Sequence, residues 1–284
     1  YARLTRESDV TSILCRQQVE GVLTLTLNRP EQLNALTWEL MRLLNEALEH
    51  ASVDPGVRVV VLTGAGRGFC AGGDLRSREQ IDPEDPVSVR WSEDPVWKSV
   101  GMRASHVRRL SQSPVLLHTM PKPTIAMLRG PVVGAGLCLA AACDIRIASE
   151  TASFATAYVR AARPGDFGGS YLLPRVVGPA KARELYLLGD KIPADEALRI
   201  GLVTRVVPDA ELEGETQALA SRLDDGPPVA YRYIKRSLNA AESMTLEQVI
   251  ELEAYNMMQC SATDDAREVL RAAREGREPK YRGY

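Results

Sequence analysis

The sequence predicts an α/β protein built from strand–helix–strand crossovers. Three observations carry that expectation: a strand with a period of two, a helix with apolar residues at helical spacing, and a strand that is apolar almost throughout. Val22–Leu27 ("VLTLTL") alternates like a half-buried strand, and Asn28-Arg29-Pro30 stops it. Thr37 suits a helix N-cap, and Leu40, Leu43, Leu44, Ala47, Leu48 and Ala51 follow at helical spacing. Residues 57–63 ("VRVVVLT") are nearly continuous in apolar side chains, as in a parallel strand covered on both faces. Residues 124–128 read as the next strand. They lead through Gly130-Pro131 to a helix that opens within "VGAGLCLAAACD" (133–144), after which 144–148 alternates again. No repeat of the solenoid type is visible.

With 284 residues and 45% hydrophobic content, the chain is long enough for one large domain and a smaller appendage. The expected division is a core over 1–205 and a helical region over 206–284. The helical stripes of the second region are too thin to enclose a core of their own, so they should pack on the main domain or on another subunit. Residues 76–105 mix charges, prolines and two tryptophans without periodicity, and read as a mobile flap followed by a helix. Trp91 and Trp97 either line an acyl pocket or fasten that flap to the body. Lys and Arg number 35 against 37 Asp and Glu, a net charge of -2, which gives no global field to select nucleic acid. The five cysteines, at 15, 70, 138, 143 and 260, lack short paired spacings and fit a reducing cytoplasm better than a disulfide framework. No signal peptide and no bilayer-spanning run is apparent, so a cytoplasmic protein without a membrane partner is expected.

Two loops carry the chemical signal. "TGAGRGFCAGGDL" (63–75) follows a buried strand and is dense in glycine, so its backbone N–H groups can approach a ligand closely. It has neither the phosphate-loop pattern nor the glycine spacing of a dinucleotide fold. The second loop, Gly130–Gly136, delivers amides at a helix N-terminus, where a developing anion is favoured. Two such loops after two strands suggest an oxyanion hole. Metal binding is not expected. His50, His106 and His118 form no ligand pair, and Cys138 with Cys143 lacks two further ligands for zinc.

Taken together, "LNRPEQLNAL", "GFCAGGDL", "PKPTIAMLRGPVVGAGLCLAAACDIRIAS", "VVGPAKARELYLLGDKIPADEALRIGLVTRVV" and the closing "REPKYRGY" resemble the crotonase, or enoyl-CoA hydratase/isomerase, superfamily over nearly the whole chain. The resemblance implies a spiral of stacked ββα units with a C-terminal helical region that makes trimers, often a dimer of trimers. It also implies an acyl-CoA thioester as ligand, with coenzyme A present only as part of the substrate and no separate cofactor. By the same resemblance, the oxyanion-hole amides are those of Gly73 and Ala135. The coenzyme A end would meet Arg29, Arg67, Ala71, Leu75 and Arg76, with Lys280 reaching in from the tail.

Hydratases of this family carry two glutamates, one activating water and one supplying a proton. Here those positions align with Cys138 and Tyr158, and a thiol or phenol is a poor general base at neutral pH. Cys138 could serve as a nucleophile, but no histidine adjoins it in sequence, and among leucines and alanines it reads better as a small apolar filler. Asp166, in "RPGDFGGSY", resembles the lone carboxylate of Δ3,Δ2-enoyl-CoA isomerases and of phenylacetyl-CoA pathway isomerases. Its bland alternative is an N-cap for the helix beginning near Gly168. The leading expectation is an enzyme that isomerises an enoyl-CoA double bond with Asp166 as the single base. Hydration, thioester hydrolysis, carbon–carbon cleavage and a non-catalytic acyl-CoA- or RNA-binding protein are the alternatives.

Overall fold

The computed structural model describes residues 12–74, 84–85, 89–90, 96 and 99–284. Most of the segment read as a flap, with Trp91 and Trp97, lies outside the described residues, as do Leu75 and Arg76. In chain order the strands are β1 (Leu14–Val19), β2 (Val22–Leu27), β3 (Val59–Gly64), β4 (Thr124–Leu128), β5 (Pro131–Val133), β6 (Ile145–Ser149), β7 (Ser153–Ala155), β8 (Ile192–Pro193) and β9 (Arg205–Val207). The helices are α1 (Trp38–Val53), α2 (Val100–Leu110), α3 (Ser113–Thr119), α4 (Ala135–Ala142), α5 (Gly169–Val177), α6 (Pro179–Leu188), α7 (Ala194–Arg199), α8 (Leu212–Asp224), α9 (Pro228–Ala241), α10 (Leu246–Ser261) and α11 (Asp264–Glu275).

Six strands form one sheet in the order β1-β2-β3-β4-β6-β9, and three form a second in the order β5-β7-β8. In the large sheet only β1 and β2 are antiparallel, so β2, β3, β4, β6 and β9 all end at the same edge. Each turn of the chain lays one strand in the large sheet and then a shorter one in the second layer, as β4 passes to β5 and β6 to β7. After β3 the second-layer position is taken by Cys70 and Gly73, which bridge Val132 and Leu36. This is the spiral of ββα units.

The apolar strand 57–63 is explained by a core on either side of it. Val60 and Leu62 of β3 join the cluster containing Leu40, Leu44 and Leu48 of α1 and most of α4. Val59 and Val61 join Ile125, Ile147, Leu212 and Ala220, so α8 covers the other face. Thr37 caps α1 as its sequence suggests, its Oγ1 accepting from Leu40 N at 3.1 Å. The 131–133 stretch, read from sequence as part of a loop, is a strand. Its pairing with β7 defines it, because only Val132 of the three is buried and no alternation betrays it.

The C-terminal helices are tied to this body by a buried cation. Lys235 of α9 is 7% exposed, and its Nζ donates to Leu117 O at 2.7 Å, Lys122 O at 3.2 Å and Asp144 Oδ2 at 2.8 Å. Asp144 Oδ2 also accepts from Thr124 N and Oγ1, so one carboxylate joins β4, the start of β6 and α9. Asn239 of α9 adds a bond to His118 O at 2.7 Å, while Ile234 and Leu238 on α9 and Leu246, Ile250, Met257 and Met258 on α10 are exposed. Lys235→Met keeps the alkyl stem and strands the carboxylate, and since Asp144 is partly exposed the expected loss is about 2–3 kcal/mol. Thermal unfolding at fixed protein concentration measures it, and an unchanged melting temperature would contradict the strut.

Candidate active site

The site is built where β3 and β4 end, by bringing two glycine-containing loops into backbone contact. Asn34, fully buried and in the left-handed region at φ 57°, prepares the first loop. Its amide donates to Ala65 O at 2.9 Å and Gly68 O at 2.7 Å, and its Oδ1 accepts from Arg29 N at 2.8 Å. Cys70 N then donates to Pro131 O at 3.1 Å and Val133 N to Cys70 O at 2.9 Å, which locks the two loops side by side.

Gly72 O accepts from Leu36 N at 2.8 Å. A trans peptide sets a carbonyl and the next N–H on opposite sides, so the Gly73 N–H points away from Leu36, and among the described residues no backbone acceptor meets it. Ala135 is the first residue of α4, and its N–H has no acceptor within the helix. The first intrahelical bond runs from Cys138 N to Gly134 O at 3.1 Å. Gly72 (φ 93°) and Gly134 (φ 55°) adopt backbone conformations that side chains resist, and a Cβ on Gly72 would stand 3.1 Å from Val133 O and 3.8 Å from Ala135 N. The amides of Gly73 and Ala135 are thus available on adjoining segments.

Asp166 lies on a turn between β7 and α5. Phe167 at φ 52° is unusual for a bulky side chain, and Gly165 and Gly168 flank it at φ 111° and 70°. The Asp166 side chain does not cap α5. Its carbonyl accepts from Gly169 N at 3.2 Å, while its Oδ1 accepts from the Tyr158 hydroxyl at 2.7 Å. Cys138 Sγ stands 3.4 Å from Tyr158 Oη and donates to Asp166 O at 3.6 Å. Tyr158 stacks on Tyr186, ring centres 5.9 Å apart and planes within 5°. A Cβ at Gly169 would collide with both Tyr186 Oη and Cys138 Sγ, so glycine is required there. Burial pushes the Cys138 thiol up to about 12, and burial, helped by Cys138 and Asp166, also pushes the Tyr158 phenol upward. Both groups stay protonated at neutral pH.

Asp166 is part of the lining of an open cleft of about 580 Å³, with Ala104, Val107, Phe167, Arg103 and Arg108. Asp166 is the sole acid in that lining among the described residues.

The structure brings Asp166, Tyr158 and Cys138 together, and Gly73 and Ala135 together; of the residues expected around coenzyme A, Arg29, Arg67 and Ala71 lie on or beside the glycine loop and Lys280 lies away from it. Arg29 is held by Asp74 Oδ2 at 3.0 Å and by Ala35 O, so it braces the glycine loop. Arg67 is exposed on that loop, and Ala71 N is taken by Leu33 O at 2.9 Å. Lys280 is exposed, and the next residue, Tyr281, accepts through its carbonyl from Arg58, at the start of β3. The glycine loop follows the other end of that six-residue strand, roughly 17 Å away. Sequence reasoning missed Asn34, Phe167 and Tyr186. The first is embedded in "LNRPEQLNAL" and the second in the glycine-dense "PGDFGG", whereas Tyr186 sits on a helix with nothing local to mark it.

A ββα spiral with two amides on adjoining glycine loops, unengaged among the described residues, defines a protein of the crotonase class. The chain matches the family model for enoyl-CoA hydratase/isomerase over residues 17–284, and it belongs to that family. It is 38% identical over 269 residues to the 1,2-epoxyphenylacetyl-CoA isomerase of Escherichia coli (strain K12), covering 93% of this chain and 96% of the relative. It is 32% identical over 266 residues to the crotonyl-CoA hydratase of Syntrophomonas wolfei, covering 93% and 96%. The solved enoyl-CoA hydratase from Bacillus anthracis superposes with a TM-score of 0.84 at 31% identity, covering 96% of this chain and all of that one.

Gly136 supplies a test of the loop contact, because a Cβ there would stand 2.6 Å from Cys70 O. Gly136→Ala is expected to destabilise by about 1–3 kcal/mol through overpacking. Differential scanning calorimetry should show the lowered transition, and a parental melting temperature would mean that α4 does not need this seat.

Proposed function

We propose that this protein isomerises the double bond of an enoyl-CoA thioester, with Asp166 moving the proton and the Gly73 and Ala135 amides holding the enolate oxygen. The observation that carries the reading is the Asp166 carboxylate, alone among acids in the cleft lining of the described residues, while positions 138 and 158 hold a thiol and a phenol kept protonated by burial. Asp166 takes a proton from the allylic carbon next to the thioester carbonyl. The electron pair of that C–H bond spreads to the thioester oxygen, where two preorganised donors, one of them at a helix N-terminus, meet the developing charge. The protonated Asp166 then forms a C–H bond at the carbon two bonds away, and nothing is consumed. Removing one such donor typically costs about 3–4 kcal/mol in the transition state.

Syn-hydration needs one group to activate water and another to supply a proton, and neither Cys138 nor Tyr158 is a competent base. A second reading, rearrangement of an aryl-epoxide acyl-CoA, is favoured by the name of the 38% identical relative. The coenzyme A end is assigned to the exposed side of the glycine loop at Arg67 and Ala71, with Arg29 bracing that loop through Asp74. Lys280 would reach it only from a second copy. No separate cofactor is assigned, and among the described residues no three His, Cys, Asp or Glu side chains are grouped to hold a metal ion. The open apolar faces of α9 and α10 support a trimer or a dimer of trimers. Among the described residues no helix is long and apolar enough to cross a membrane.

Turnover of 2-enoyl, 3-enoyl and aromatic acyl-CoAs, with products identified by mass and NMR, tests the reaction. Asp166→Asn should lower turnover by at least ~10²–10³ while calorimetric binding of acetoacetyl-CoA persists. A variant that runs at the parental rate defeats the assignment. Sedimentation should give multiples of three, and a stable monomer at micromolar concentration would contradict the assembly.

A further inference from the structure

We infer that Tyr158 is a positioning residue for Asp166, its hydroxyl holding one carboxylate oxygen so that the other faces the substrate. The inference rests on the role proposed above for Asp166. An aspartate carboxylate turns easily, because its terminal torsion is broad and roughly two-fold. A base that must take a proton from one carbon and return it to another needs that rotation fixed. Among the described residues the Tyr158 hydroxyl is the sole hydrogen-bond donor to the Asp166 carboxylate, at 2.7 Å to Oδ1.

The phenol is itself held. Tyr158 is 8% exposed, its ring lies flat against Tyr186, and Cys138 Sγ reaches its oxygen at 3.4 Å. Cys138 also touches the Asp166 carbonyl at 3.6 Å, so one thiol spans the phenol and the backbone of the residue it serves. Burial keeps Cys138 and Tyr158 protonated, which fixes the direction of the phenol's hydrogen bond toward the carboxylate. The positions where hydratases are expected to carry carboxylates are used here to orient a third carboxylate. The side chain is bent to this use by the strained turn at Phe167.

The titratable groups around the carboxylate are Cys138, Tyr158 and Tyr186 on the protein side and Arg103 and Arg108 in the cleft lining. A donor to the ionised form favours that form, so removing it moves the acid limb of the rate profile to higher pH, and a more acidic phenol moves it to lower pH. The experiment is isomerisation of 3-hexenoyl-CoA to the conjugated 2-enoyl thioester by three proteins: Tyr158→Phe, 3-fluorotyrosine incorporated at 158, and Asp166→Asn. For Tyr158→Phe we expect kcat to fall about 10-fold with KM within about twofold, and the acid limb to rise by about one pH unit. For the fluorinated protein we expect the limb to move down. If kcat and the acid limb match the parent while Asp166→Asn is inactive, the positioning role is overturned and the reading of Asp166 stands. If Asp166→Asn is active, or the parent does not isomerise the substrate, both fail together. Should Tyr158→Phe not fold, the fluorinated protein decides by the direction of its limb, and no movement overturns the role.

Discussion

Everything at the edge where β3 and β4 end depends on one backbone contact, the lateral pairing of Cys70 with Val132 that sets the loop after β3 against the loop after β4. The two strands are already neighbours in the sheet, but their loops could diverge. They are kept together because Gly72 and Gly134 sustain positive φ and Gly136 leaves room for Cys70. A single added methyl at any of the three would meet backbone or a buried sulfur rather than solvent. The same contact aligns the amides of Gly73 and Ala135, since the peptide before Gly73 is fixed by Leu36 and α4 starts directly after Gly134. Two donors are thereby presented without any side chain being spent on them, and their positions are as rigid as the sheet.

Side chains enter only where the fold has a choice. At 138 and 158 burial decides the protonation state, and a buried thiol and phenol become donors rather than bases. A donor is useful only if it has an anion to serve, and the turn at 165–168 supplies one in Asp166. Three positive φ values, at Gly165, Phe167 and Gly168, bracket that carboxylate. Strain of this kind persists where the surroundings over-determine it, and here the surroundings are the Phe167 side chain, 4% exposed, and the Tyr158 hydrogen bond.

Much of the fold was legible because periodicity and packing agree. Val22–Leu27, the helix after Thr37 and the apolar run through Val59, Val60 and Val61 each carry a pattern that the two cores enforce. β5, β7 and β8 carried none. Strands of two or three residues cannot show a period, and they exist only through their partners. In the site, glycine density marked both loops and the Asp166 turn. The link from Tyr158 to Asp166 was hidden because it spans eight positions through a turn whose φ values are not written in the side chains. Arg29 shows another kind of hidden link. Its charge is paired with Asp74, forty-five positions away, at 3.0 Å, a partner that no local pattern marks.

The C-terminal layer follows a different logic. A helix that packs on its own domain buries its apolar stripe, as α8 does with Leu212 and Ala220. α9 reverses this, burying a lysine and exposing Ile234 and Leu238. A charge costs free energy to bury unless fully partnered, and Lys235 is accommodated by two carbonyls and a carboxylate. The strut therefore fixes the orientation of α9 at a point close to Asp144, at the opening end of β6 and opposite the edge that carries the amides. With that orientation fixed, Ile234 and Leu238 face outward. The tail beyond α11 is clasped to the same layer, Asp265 accepting from Arg282 N and Gly283 N. Lys280, next to the Tyr281 carbonyl that Arg58 holds, is thereby kept at the end of β3 opposite the glycine loop.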